Sequence, residues 1–184
     1  TGTANGLQRF DGSKFINLVT DKPGSDRLPS AAIAQIVDAG EGKMIFYMPT
    51  IREFGLFDPA DFTYRKIKLM AKRPIIPRAQ FRIWKTANGE IFLTVMKYGI
   101  LHYDRKKQAF IDDHYFPLPD TWFPAVAGVF EDTIKNQLWF GCDKGICIYD
   151  IRSRQMWNAD NNPRQLPVLK HPQLQNLINT VYID

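Results

Sequence analysis

Two thiols, Cys142 and Cys147, stand with four residues between them in the stretch NQLWFGCDKGICIYD. A thiol pair at short spacing suits redox chemistry or metal ligation. The chain holds only three histidines, His102, His114 and His171, and none falls at a zinc-ligand spacing from these cysteines. Two cysteines also build no disulfide framework, so neither a cofactor nor a metal is expected. Catalysis by side chains alone would need a convergent acid, base or nucleophile. No serine nucleophile motif is present, and the histidines fall in separate segments. The chain is therefore read as a non-enzyme. What remains is binding chemistry. Arg52, Lys97 and Lys144 could donate to carboxylate or sulfate groups. Tyr115, Phe116, Trp122 and Phe123 gather in one Pro-rich segment, where rings could stack on sugar faces or fill an interface.

The elements that must position these residues emerge from a repeat. Aligning on an aromatic-Asp pair gives Phe10-Asp11, Phe57-Asp58, Tyr103-Asp104 and Tyr149-Asp150, with the aspartates 47, 46 and 46 residues apart. Flanking residues recur as well: Phe46, Phe92 and Trp139 share one position, and Gly6, Gly99 and Gly145 each precede the Asp by five. Each unit reads as four short strands with polar turns between them and no long helical periodicity. Strand a is expected near 33–37, 80–85 and 126–131, and strand b near 44–48, 91–95 and 138–142. Strand c ends at each aromatic-Asp pair and strand d follows it. Period and strand count together predict β-propeller blades of four antiparallel strands.

This assigns roles to the repeated residues. An Asp at every c–d corner fits a turn, because its carboxylate accepts nearby backbone N–H groups, and a catalytic group would not need four copies. The shared large ring on strand b is expected to fill the space between blades. A Gly five residues before the Asp relieves strain in a tight b–c turn. The second unit has Glu53 there and Gly55 two residues later, so its turn is expected to be built differently. Cys142 and Cys147 become neighbours on one b–c hairpin.

Composition sets the outer bounds. With 184 residues, 45% of them apolar and 13% aromatic, the chain can bury a real core. No apolar run approaches the roughly 20 residues of a membrane helix. The net charge of +5 is spread among 19 acidic residues without a basic block, which argues against a nucleic-acid partner and against membrane contact by this segment.

The units resemble the two-component regulator propeller repeat, in LWFGC with GICIYD and in TGTANGLQRFD, and more loosely in EIFLTV with GILHYD and MIFYMP with FGLFD. The resemblance covers essentially the whole chain in four copies. It implies an extracytoplasmic sensor propeller of a bacterial membrane hybrid histidine kinase of the Bacteroidetes type, on the periplasmic or extracellular side. In that family such sensors regulate polysaccharide use, which makes an oligosaccharide the implied ligand. Kinase activity would lie in sequence outside this chain. Blade units are expected at 1–31, 32–78, 79–125 and 126–175, with 176–184 opening a further strand a. The chain is read as a segment of a larger propeller of about seven blades, whose remaining blades and adjacent domains are its expected partners, together with a possible second copy.

Propeller recognition uses loops, because strands are committed to packing. The b–c turns carry Asn5, Arg52, Lys97 and Lys144 at nearly equivalent places, either as solvated turn residues, the favoured reading, or as a donor ring for an acidic glycan. The long d–a connections include DHYFPLPDTWFPAV, whose Tyr115, Trp122 and Phe123 either face a ligand or plug the neighbouring blade. Two further function classes stay open: a protein-interaction or dimerisation scaffold without a small ligand, and a polysaccharide-acting propeller enzyme.

Overall fold

The computed structural model describes residues 1–4, 6–18 and 28–182. Asn5 and most of the first d–a connection lie outside the described residues. Fifteen strands account for the regular structure described, with only two short 3-10 turns, Pro167–Lys170 and Pro172–Leu174, as helix. The fold is all-β.

The strands follow the repeat. They comprise β1 (Gly2–Thr3), β2 (Gly6–Phe10) and β3 (Phe15–Asn17); β4 (Gln35–Gly40), β5 (Lys43–Met48), β6 (Glu53–Asp58) and β7 (Thr63–Met70); β8 (Phe81–Lys85), β9 (Ile91–Val95), β10 (Gly99–Asp104) and β11 (Ala109–Ile111); and β12 (Pro124–Asp132), β13 (Gln137–Cys142), β14 (Gly145–Asp150) and β15 (Gln155–Trp157). Strand a begins at Gln35 in the second repeat rather than at Ile33, which instead donates its backbone N–H to Thr3. The short β1 takes the strand b position of the first repeat, where only c and d were expected. Residues 176–182 form no strand; Ile178 N–H bonds to the Cys142 carbonyl, the contact that Ile33 makes with Thr3, and no ladder extends from it.

The chain divides into two compact units. The first holds Thr1–Leu69 and Asp104–Phe110. Within it the strand order is β4-β5-β6-β7, and β11 follows β7. Strand d of the third repeat thus lies beside strand d of the second. Its core joins Leu7, Leu28, Ile33, Phe46, Met48, Phe57 and Tyr64. Gly55 faces Phe46 across β5–β6, and the rings of Phe46 and Tyr64 stack with centroids 6.1 Å apart. A Cβ at Gly55 would lie 2.3 Å from Tyr64 and 2.9 Å from Phe46, so the glycine makes room for rings rather than building a turn. The turn itself spans residues 49–52 and closes with Arg52 at φ 54°, in the left-handed region.

The second unit holds Met70–Tyr103 and Ile111–Asp184. It contains β8-β9-β10 and the four-stranded antiparallel order β12-β13-β14-β15. Alternation along β13 and β14 sends Phe140, Cys142, Cys147 and Tyr149 into a core with Phe92, Phe116, Trp122 and Met156. Trp139 and Trp157 pack on a second cluster with Ile146, Ile148 and Leu169.

The four repeat aspartates are turn builders. Asp11 Oδ1 accepts the N–H groups of Ser13 and Lys14, and Asp58 Oδ1 that of Ala60. Asp104 Oδ1 accepts from Lys106 and Lys107, and Asp150 Oδ1 from Ser153. Each carboxylate fastens the first turn residues after strand c.

Candidate functional site

Strand ends of the second unit carry a cleft of about 280 Å³. One bank comes from the d–a connection after β7, through Lys72 and Arg73. Its base is the end of the b–c turn of the third repeat, Tyr98, with the first residues of β10, Gly99 and Ile100. The other bank is the Pro-rich connection after β11, through Asp112, His114, Phe116, Leu118, Asp120 and Trp122. Connections of the d–a and b–c classes therefore meet in one place.

Local chemistry builds the base firmly. The Tyr98 hydroxyl donates to Asp112 Oδ2 at 2.5 Å and accepts the Lys72 backbone N–H at 2.9 Å. Burial, and then the bond to Asp112, push the Tyr98 phenol above its ordinary range. Arg73 donates to the Tyr98 carbonyl, and its guanidinium lies 4.7 Å from the Tyr98 ring centroid and 5.4 Å from that of Phe123. These two cation–π contacts tie three connections together. Phe123 is also anchored through its backbone: its N–H donates to Asp143 Oδ1 at 2.8 Å, and its carbonyl accepts the Asp143 N–H at 3.0 Å.

The residues singled out in the sequence are placed as follows. Trp122, only 5% exposed, forms the cleft floor with Phe116, and both rings pack into the core beside Phe140. Phe123 is half-buried under Arg73. Tyr115 is 39% exposed and turns away from the cleft lining, over His102 and Phe92, with ring centroids 4.8 and 4.9 Å away. Lys97 and Lys144 are exposed turn residues outside the cleft lining, Lys97 at φ 56° and Lys144 beside Gly145 at φ 129°. Arg52 is an exposed turn residue of the first unit.

Sequence reasoning missed Lys72, Arg73, Tyr98, Asp112 and Asp120. A signal existed: the Lys-Arg pair in MAKRP and the Tyr beside Lys97 both stand on connections that the repeat places at one end. The cleft brings together acceptors, donors and an apolar floor, a set suited to binding a small polar molecule. Among the described residues no group of three or more ligands suits a metal. Cys142 and Cys147 are buried free thiols; their mutual hydrogen bond, then burial, push the Cys142 thiol up and leave it an unreactive core residue.

No protein-family profile matches the chain, and no curated protein matches it significantly. Solved structures do. The chain is similar to the extracellular domain of the hybrid two-component system BT4673 from B. thetaiotaomicron, with TM-score 0.53 and 16% identity over 84% of this chain and 20% of that one. The extracellular domain of the hybrid two-component system BT3049 from the same organism gives TM-score 0.50 and 12% identity, over 85% of this chain and 27% of that one. YCF48 bound to D1 peptide gives TM-score 0.52 and 11% identity, over 88% and 50%. The chain thus spans about a fifth to a quarter of the two extracellular-domain chains and half of YCF48. At these identities the likeness is one of fold.

Proposed function

We propose that the chain is part of an extracytoplasmic β-propeller sensor of a bacterial two-component receptor, and that the cleft of the second unit receives its ligand, an oligosaccharide. The observation that carries this reading is the cleft: a polar rim of Lys72, Asp112, His114 and Asp120 over a floor closed by Phe116 and Trp122. Sugars present hydroxyl groups that pair with such carboxylates and cations, and a C–H face that meets apolar surface. A volume of about 280 Å³ suits one or two sugar rings. The fold shared with extracellular domains of two hybrid two-component systems supports the sensor role and the location outside the cytoplasm. In this reading the chain performs no chemistry, the four-stranded repeats are blades of a larger propeller, and any kinase output belongs to other parts of the parent receptor. Lys97, Lys144 and Arg52 then act as solvated turn residues, the two lysines outside the cleft.

Calorimetric titration of the chain with neutral and acidic oligosaccharides tests it. Binding of at least one class is expected, weakened roughly tenfold or more by Lys72→Ala combined with Asp120→Ala, since each removes a rim hydrogen bond. A full panel without binding, or binding indifferent to both substitutions, overturns it. A second reading, an interaction scaffold, is favoured by one observation: the rings of Phe10 and Phe15 adjoin, tilted at 44° with centroids 5.1 Å apart, while 55% and 60% exposed.

A further inference from the structure

Outside the cleft lining, one imidazole is held in an unusual setting. His102, on β10, places Nε2 3.0 Å from Glu90 Oε2 and Nδ1 3.0 Å from Asp113 Oδ2. Its ring lies against Phe92 on β9 and Tyr115 of the Pro-rich connection, with centroids 5.2 and 4.8 Å away. Each carboxylate can only accept, so both contacts are hydrogen bonds only when both ring nitrogens carry protons. A neutral ring satisfies one carboxylate and turns a bare nitrogen lone pair toward the other.

The two carboxylates differ in how they are held. Glu90 closes the β8–β9 turn, where Thr86 N–H donates to the Glu90 carbonyl at 2.9 Å and Glu90 N–H donates to Thr86 Oγ1 at 3.1 Å. That turn is fastened to β12 by the Ala87 N–H bond to Glu131 Oε2 at 2.8 Å. Asp113 sits in the connection after β11, with His114 next to it at φ 56°. Its other oxygen, Oδ1, accepts the Tyr115 backbone N–H at 3.1 Å. The Asp113 carboxylate therefore couples the His102 ring directly to the backbone of the loop that forms one bank of the cleft.

We propose that His102 is a protonation-controlled latch: the imidazolium holds Asp113 and the residues after it in place, and the neutral ring releases them. The charged and titratable groups facing this cluster fit that assignment. Glu90 approaches from the β8–β9 turn, and Asp113 from the connection, with Asp112 and His114 flanking it. The Tyr115 phenol, raised by burial and then by Glu90, also feels Arg154 of the β14–β15 turn. From β9 the contact is the uncharged Phe92. His114, 67% exposed and 4.0 Å from Asp112, is the other imidazole in reach and serves as the control. The latch is independent of what the cleft binds.

The test is amide exchange of residues 113–118 in the intact chain, referenced to the unfolded chain at the same pH, across the range in which histidines titrate. Protection is expected to fall about tenfold from the acidic to the alkaline end, the loss of one charge-assisted hydrogen bond. In His102→Gln the protection should be flat with pH, and in His114→Gln the wild-type fall should remain. Flat protection in the wild type, or an equal fall in His102→Gln, overturns the latch. Should His102→Gln fail to fold, nitrogen NMR of the wild-type ring decides: loss of one ring proton must coincide with the loop change, and separate midpoints overturn it.

Discussion

Carboxylates at one repeat position show how a single side chain serves the fold. Asp150 is the most enclosed of the four: its side chain is 10% exposed, and Arg164 lies 4.0 Å from it. Burial alone pushes its carboxyl up, but the N–H and hydroxyl of Ser153, at 2.8 and 2.9 Å, and the Arg164 charge outweigh burial and hold it below the ordinary carboxylate range. A folded-state pKa below the unfolded value of about 3.9 contributes stability that is present above that value and lost as pH falls through the folded pKa. Asp150→Asn, which keeps an acceptor but removes the charge, is expected to cost about 1 kcal/mol at neutral pH. In thermal melts from pH 7 downward, the gap between wild type and variant should close below about pH 4. A gap constant through that range would mean that the charge contributes nothing. The same turn chemistry explains why the aspartate recurs without being catalytic, since each copy is occupied by its own backbone.

At the scale of elements, packing over strand β6 depends on an absent side chain. Gly55 lies between the rings of Phe46 and Tyr64, and Gly55→Ala would drive a methyl into both. We expect it to destabilise the chain by about 1–3 kcal/mol, the usual cost of overpacking a filled core, as read from denaturant midpoints at unchanged slope. An Ala variant as stable as wild type would show that these rings have room to move. This glycine also marks where sequence reading stops. The strands were legible because side-chain alternation and turn residues repeat every 46 or so positions, and local chemistry dictates both. Gly55 was legible only as a turn departure, because the ring that excludes a Cβ, Tyr64, lies on the next strand. Likewise β11 beside β7 was not foreseen, since strand order beyond a hairpin depends on contacts that no local pattern encodes. The cleft shows the same limit: its d–a and b–c connections were named, but the Arg73 contacts to the Tyr98 and Phe123 rings require residues from three connections. For Glu90, His102 and Asp113 the sequence offered three residues in separate elements, with nothing in their spacing to join them.

Over the whole molecule, one repeat position is solvated in a single copy. In the first unit Phe57 is fully buried among Leu7, Leu28 and Ile33, and in the second Tyr149 is buried against Phe116. Each ring is covered in part by residues of the repeat before it or of the connection that follows that repeat, Leu7 and Leu28 for Phe57 and Phe116 for Tyr149. Phe10 holds the same position in the first repeat, yet stands 55% exposed against an equally open Phe15. Two adjoining rings open to water form an apolar patch of the kind that seeks a partner surface. Another repeat of this type would supply matching Leu and Ile side chains; for the isolated chain, a second copy is what remains available at high concentration. We therefore expect weight-average mass by light scattering to rise above that of the monomer across a concentration series. Phe10→Ser combined with Phe15→Ser should return it to monomer without lowering the melting temperature, because neither ring is enclosed by the core. A wild-type chain that stays monomeric throughout the series would show that this patch is tolerated in water. Association unchanged in the double variant would place the contact elsewhere and remove the support these rings give to an interaction scaffold.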